Sequence, residues 1–420
     1  MDVVVAKCAG IDVHQAQVTV CVLRGEPGKK VQKDIRVFET FTGKLVELAE
    51  WLKELGVTAV GMESTGVYWK PVYAVLEAAG AFSLVVGNAQ HMKNVPGRKT
   101  DVKDAQWIAE LLRHGLIRKS FVPPVDFRQL RDLTRYRKSM MEVRTAERNR
   151  LQKLLESANV KLGSVVSDVF GMTGMAIIRK LVEGPTPPKD LSELAFGNLR
   201  AKKKLLQQAT ECRIEEHHRI LLKLQLEQVD HLDGVIEKLD LEIEKRLEPY
   251  KKQRDLLTTI PGVGEGGSAT ILAEMGVDMN VFPTAKHFGA WAGVAPGNNE
   301  SAGKRFAERT RKGNPYLRTA LVEAATSAVR TKGTYVRDKY RRMGSRMPRK
   351  KAKVAIAHKI AIAAYFMLKT DTPFKELGPE HLDALQGKRR LHNLKRMARE
   401  FGFDLVAHPT TSEQASPPNC

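Results

Sequence analysis

What most limits the fold open to this chain is the rhythm of its first 122 residues, where strand-like alternation gives way to helical spacing and then returns. "KCAGIDVHQAQVTVCVL" reads as two strands joined by a short turn, and "KVQKDIRVF" as a third. In "TGKLVELAEWLKELG" the residues Leu45, Leu48, Ala49, Leu52 and Leu55 share one helical face, with Thr42 as N-cap and Gly56 as the stop. "VTAVGME" is a fourth strand, "VYWKPVYAVLEAAG" a second helix and "FSLVVGN" a fifth strand. "RKTDVKDAQWIAELLRHGLIR" supplies a third helix.

The order βββαβαβα is that of an α/β ribonuclease-H-like domain, in which strands one and four are neighbours. That places Asp12 in "GIDVH" opposite Glu63 in "GMESTG", beside a helix opened by Asp101 and Asp104. The i, i+3 spacing of the two aspartates keeps them on one face. Each acid alone has an ordinary explanation. Asp12 suits a strand-end turn, and Glu63 suits a cap on the next helix. Asp101 as N-cap and Asp104 as the N3 acid suit the dipole of their own helix. Four acids converging on one point repel unless a cation joins them. An all-oxygen donor set selects Mg²⁺ or Mn²⁺, and such ions serve phosphodiester chemistry. His14 reads as a strand-end histidine. Tyr68 and Trp69 read as packing for the second helix, with base or ribose stacking the alternative for Trp69.

Two long helical segments follow. Residues 126–158 mix arginines with Leu130, Leu133, Met140, Val143, Leu151 and Leu154. Residues 213–248 carry Ile214, Leu221, Leu232, Ile236, Leu239, Ile243 and Leu247 at coiled-coil-like spacings. Either the two pack on each other as a hairpin, or one pairs with a second copy. "EGPTPPKDLSELAFG" is a Pro-rich break between them. "LLTTIPGVGEGGSATILAEMG" reads as a helix-hairpin-helix-like element. At Gly262 and Gly264, backbone amides at a helix start can meet a phosphate. The end, "HPTTSEQASPPNC", has the composition of a disordered tail.

Composition narrows function. The net charge is +21, which fits a polyanionic partner. Residues 301–360 hold 18 Lys and Arg against 3 Asp and Glu, so the excess is concentrated in one segment. At 420 residues the chain suits two or three domains. Cys8, Cys21, Cys212 and Cys420 are scattered without a CxxC pair. That disfavours a structural zinc site or a disulfide framework and fits a reducing cytoplasm. No apolar run is long enough for a membrane span, and no secretory leader is visible.

"GIDVH", "MESTGVYWKPVY", "KTDVKDAQWIAELLRHGLI", "IPGVG", "FGAWAGVAPGNNESAGK" and "RKGNPYLRTAL" follow one another in the order found in the DEDD-type transposases of insertion sequences, the family numbered one hundred and ten. The chain resembles that family over about residues 6–160 and 250–378. The helical spacing makes 123–250 a helical or coiled-coil linker and dimerisation region, and the resemblance implies a RuvC-like catalytic domain over 1–122. It implies a mainly α, serine-bearing transposase domain over 251–378, and 379–420 remain as a basic helix and tail. It puts the metal-binding, catalytic tetrad on Asp12, Glu63, Asp101 and Asp104, and a DNA-joining nucleophile on Ser301. The partners it implies are double-stranded DNA at element ends and target, a structured guide RNA encoded by the element, and further copies of the chain as a homodimer or homotetramer. The location expected from the scattered cysteines is the cytoplasm, on the nucleoid when bound to DNA.

From the residues alone, Ser301 in "ESAG" is an unremarkable turn serine. What supports more is the company of Lys304, Arg305, Arg309, Arg311, Lys312 and Arg318, which can hold a phosphate and stabilise its developing charge. Other functions stay open at this level. One is a RuvC-like structure-specific nuclease that needs no serine. Another is an actin-like small-molecule kinase, disfavoured by the charge and by the lack of a second phosphate-binding Gly turn. A third is a non-catalytic nucleic-acid-binding protein.

Overall fold

The computed structural model describes residues 2–64, 66–88, 92, 104–297, 300–301, 304–305, 310 and 312–405. It divides into two compact units, Met1–Pro123 and Pro124–Cys420. Asp101, Arg309, Arg311 and the tail beyond residue 405 lie outside the described residues.

The first unit is a five-stranded sheet in the order β3-β2-β1-β4-β5. The strands are β1 (Lys7–Val13), β2 (Gln17–Arg24), β3 (Gln32–Glu39), β4 (Ala59–Glu63) and β5 (Ser83–Gly87). β1–β2 and β2–β3 pair antiparallel, whereas β1–β4 and β4–β5 pair parallel. This is the ribonuclease-H-like arrangement that the element order predicts.

The pleat decides which residues meet which layer. Ala9, Ile11, Val18, Val20, Val22, Val60, Met62 and Val86 turn to one face. There they are buried with Leu45, Leu48, Ala49 and Leu52 of α1 (Thr42–Glu54) and with Val72 and Leu76 of α2 (Trp69–Ala78). Cys8, Cys21, Leu23 and Ala59 turn to the other, under Ala105, Ala109 and Leu112 of α3 (Asp104–Arg113). One local expectation fails: Thr42 is the first helical residue of α1, the N-cap is Phe41, and no side chain caps the helix. Gly56 does stop α1, with φ +65°.

The second unit is mainly helical. α4 (Val125–Ser157) and α9 (Glu216–Leu247) lie against each other. Their pairing is antiparallel, because Arg137 meets Asp240 while Arg144 and Arg148 meet Asp233. Leu232, Ile236, Ile243 and Leu247 are buried as the spacing predicts, but Leu222 is buried in place of Leu221, which stays 43% exposed. The seam between the two long helices is therefore an intrachain hairpin.

Between them lie α5 (Leu162–Val165), α6 (Met172–Glu183), α7 (Pro188–Glu193) and α8 (Lys203–Ala209). The Pro-rich stretch is more than a break. Pro188 starts α7, where its missing N–H costs nothing. Leu191 of α7 is fully buried with Ile177, Ile178, Leu206 and Leu222 in a core of their own. The unit continues with α10 (Lys251–Thr258), α11 (Glu265–Met275), α12 (Ala285–Trp291), the two-residue strands β6 (Glu300–Ser301) and β7 (Lys304–Arg305), and α13 (Pro315–Ala328). It ends with α14 (Tyr335–Gly344), α15 (Arg349–Thr370) and α16 (His381–Glu400). Among the described residues no helix is long and apolar enough to cross a membrane.

Candidate functional site

Sheet parity and register bring the first two acids together. Ile11 and Met62 are partners in the parallel pair of β1 and β4, and Asp12 and Glu63 are the next residue on each strand. They therefore share one face at one level, on strands about 4.8 Å apart. The face is the one covered by α3, because Gly10 and Gly61 lie two residues back on the same sides.

The missing side chains at those glycines let the helix settle onto the sheet. A Cβ on Gly10 would lie 2.2 Å from the carbonyl oxygen of Ala105, and one on Gly61 would lie 3.3 Å from atoms of Ile108 and Leu112. α3 runs opposite to β1. Its last residue, Arg113, donates to the carbonyl of Ala6 at 3.0 Å, while Ala105 lies over Gly10. The helix start, Asp104, is thereby aimed toward the end of β1 that carries Asp12.

Around the acids the lattice continues. Thr19 is opposite Asp12 on β2, and Gly87 is opposite Glu63 on β5. Asp12 has a partner: its Oδ2 lies 3.0 Å from Nε2 of His14. His14 thus engages one oxygen of Asp12. Asp12, Glu63 and Asp104 offer the oxygen set that a hard divalent cation takes, although their ligand atoms are not all within 4.8 Å of one another. Among the described residues the group that tight is Glu215, His217 and His218 at the start of α9. There Glu215 caps the helix and His218 returns a bond to the cap backbone. Trp69 packs: it meets Tyr73 edge-on at 5.7 Å and lies against the sheet core, while Tyr68 is 43% exposed.

In the second unit the structure describes Ser301, Lys304 and Arg305 by their backbone. Ser301 pairs with Lys304, and Glu300 with Arg305, in a small antiparallel hairpin. Lys312 and Arg318 are exposed, as are Arg346 in the turn before α15 and Arg349, Lys350 and Lys351 at its start. The apolar side of α15 is buried through Ala352, Ile356, Ala357 and Ile360. These cations of the basic segment face solvent, whereas Arg342 of α14 is half-buried and pairs with Asp338 and Asp383.

Gly262 and Gly264 separate in role. Gly262 has φ +87°, and a Cβ there would lie 2.3 Å from the amide of Ala328, so this glycine seats the turn against α13. Gly264 faces open space and precedes α11, whose N-terminus no side chain caps. That turn lines a groove of about 630 Å³ whose walls include Arg137, Lys138 and Tyr316.

A buried ionic group was not visible in the sequence. Glu274 of α11 has no exposed surface and meets Arg131 and Arg135 of α4 and Asn314 before α13. Burial pushes the Arg131 guanidinium down to about 10 despite the opposing charge of Glu274. Burial also acts downward on Arg135, but its hydrogen bond to Glu274 and the carboxylate charge outweigh it, so that group is raised.

Two family models match this chain. One, described as a DEDD-type transposase of the IS110 group, covers residues 9–160, and the other, transposase IS116/IS110/IS902 family, covers residues 254–341. A Pseudomonas aeruginosa protein named "Probable family 20 transposase" is 25% identical over 340 residues, covering 79% of this chain and 90% of its own. Among solved structures, RuvC of Thermus thermophilus is 16% identical with a TM-score of 0.22, over 27% of this chain and 99% of RuvC. The same RuvC in complex with a Holliday junction substrate has a TM-score of 0.21 at 16% identity and the same coverage of both chains. With both models of one family matched in order over more than half its length, the chain belongs to the IS110-type insertion-sequence transposases.

Proposed function

We propose that this chain is the site-specific recombinase of its insertion sequence, cutting and rejoining DNA phosphodiesters with two groups of residues. Asp12, Glu63, Asp101 and Asp104 hold Mg²⁺ or Mn²⁺, and Ser301 is the nucleophile. The observation that carries this reading is the shared level of Asp12 and Glu63 on the sheet face where α3 begins at Asp104. Bound divalent ions supply charge stabilisation at the attacking and leaving oxygens.

The remaining steps belong to the chain's own groups. The Ser301 hydroxyl oxygen forms a bond to phosphorus while the bond from phosphorus to a deoxyribose oxygen breaks. The serine proton leaves to a base, and the departing oxygen takes up a proton. Lys304, Arg305, Arg309, Arg311, Lys312 and Arg318 neutralise the phosphates on either side. The open helix start after Gly264 suits one further backbone phosphate, with the Gly262 turn supporting it.

On this reading residues 1–122 are the catalytic domain, 123–250 the linker and dimerisation region, 251–378 the serine-bearing domain and 379–420 a basic extension. Double-stranded DNA is the substrate, a guide RNA from the element selects the sites, and a homodimer or homotetramer assembles them in the cytoplasm, on the nucleoid.

The acids alone could also serve a RuvC-like, structure-specific nuclease without covalent serine chemistry, since their geometry does not involve Ser301. Two variants separate these readings. Glu63→Gln should reduce DNA cutting by more than the roughly 100-fold that follows loss of an outer partner of a metal site, with DNA affinity kept. Ser301→Ala should eliminate a denaturation-resistant protein–DNA adduct formed in Mg²⁺. Cutting that persists in Ser301→Ala without any adduct favours the nuclease. Full activity of Glu63→Gln removes both readings.

A further inference from the structure

We propose that Glu274 is a positioning residue for the hairpin that carries Ser301, acting through Asn314; its catalytic consequence rests on the reading of Ser301 as nucleophile. A carboxylate with no exposed surface must be matched by charge and hydrogen bonds. Here the match is more than sufficient. Oε1 accepts from Nε of Arg135 at 2.7 Å and Oε2 from Nη2 of the same residue at 2.8 Å, a two-pronged grip. Nε of Arg131 stands 3.3 Å from Oε2, and it also donates to the Ala273 carbonyl at 3.2 Å. With two guanidiniums in place the carboxylate is already neutralised. Yet it accepts a further bond, 2.6 Å from Nδ2 of Asn314.

Asn314 stands where the chain returns from the Ser301 segment, and every polar group it has is used. Its Oδ1 accepts from the amides of Tyr316 and Leu317 at 3.0 and 3.1 Å, capping α13. Its own amide donates to the Trp291 carbonyl at 2.9 Å. Beside it, a Cβ on Gly313 would lie 2.4 Å from both the Gly293 amide and the Trp291 carbonyl, so the returning strand lies directly on the residues from which the segment departs. Pro296 and Thr310 bridge farther out, followed by the Glu300–Arg305 and Ser301–Lys304 pairs. The hairpin therefore rises from one floor, and Glu274 fixes the orientation of the residue at its foot. Arg135 also lies 4.3 Å over the Tyr316 ring, so α4 holds the same corner from a second side.

Asn314→Ser tests this. Serine is as good a helix cap as asparagine, so α13 keeps its start while the donor to Glu274 is lost. In the full chain, amide hydrogen exchange at Glu300, Ser301, Lys304 and Arg305 should quicken about ten-fold, with exchange in α4 and α9 unchanged. DNA affinity should stay within two-fold, while the rate of serine–DNA adduct formation falls ten-fold or more. Asn314→Thr, which also caps a helix but lacks the amide donor, should give the same local pattern and serves if Asn314→Ser does not fold. Unchanged exchange in the hairpin, or a loss spread evenly over the unit with affinity and rate falling together, overturns the proposal. Local quickening in a chain that never forms an adduct upholds the positioning of the hairpin and removes Ser301 as nucleophile.

Discussion

The acid end of the sheet and the foot of the Ser301 hairpin position the groups proposed to react by opposite means. At the sheet, Asp12 and Glu63 are placed by a repeating ladder: parity chooses their face, register chooses their level, and two glycines let α3 bring Asp104 over. At the hairpin, two-residue strands have little geometry of their own. Order there comes from Arg131, Arg135, Glu274 and Asn314, drawn from positions far apart in the chain. The contrast teaches that regular structure carries placement cheaply over short distances. An irregular segment has to be tied down by side chains, and buried charge is a strict way to tie because it tolerates no missing partner.

Four outcomes would sharpen or break that contrast. The largest is expected from Glu274→Ala, which strands two guanidiniums beside a cavity. Unfolding in urea, followed by far-ultraviolet circular dichroism, should show a loss of about 3–5 kcal/mol. A loss below about 1 kcal/mol would mean the ionic group is ornamental. Next is Gly10→Ala. The added carbon collides with the backbone of α3, so stability should drop by about 1–3 kcal/mol, and DNA cutting should fall although all four acids remain. Normal cutting would show that α3 does not need its close seat.

A smaller effect is expected from the basic helices. Alanine at Arg346, Arg349, Lys350 or Lys351 should flatten the dependence of DNA affinity on salt by about 0.9 per lost phosphate contact. No change in slope would remove those residues from the interface.

The smallest concerns Cys8 and Cys21 in the sheet. Burial, partly opposed by Arg113, raises the Cys8 thiol from 9.0 to about 11. Burial likewise raises Cys21 from 9.0 to about 11, with Lys33 opposing. Below pH 9 both thiols keep their protons in the folded and unfolded chain, and stability is unaffected. As pH climbs from 9 to 11, the unfolded chain releases protons first, so stability falls across that window. Thermal melts of Cys21→Ala should show a shallower decline there; an identical slope would mean the thiols do not couple to folding.

The same contrast explains what could be read from the sequence. The meander, the βα units and the shared face of Asp12 and Glu63 were legible, because alternation and strand order determine them. The close seat of α3 on Gly10 was not, since a glycine in a strand announces an approach without naming what approaches. Glu274 in "LAEMG" looks like any helix acid, and its burial depends on arginines some 140 residues earlier. Leu222 takes the inward position read for Leu221 because neighbouring positions on a helix differ by only 100°. Asp101, Arg309 and Arg311 lie outside the described residues, so what is expected of them rests on the sequence.

Gly10 has a consequence for judging how mobile elements decay. A search for damaged copies by the loss of a proposed metal-binding acid would miss one route. A copy that gains even a methyl group at position 10 would retain its full complement of carboxylates, with one of them carried out of reach on a displaced helix. Counting acids would enter that copy among the living.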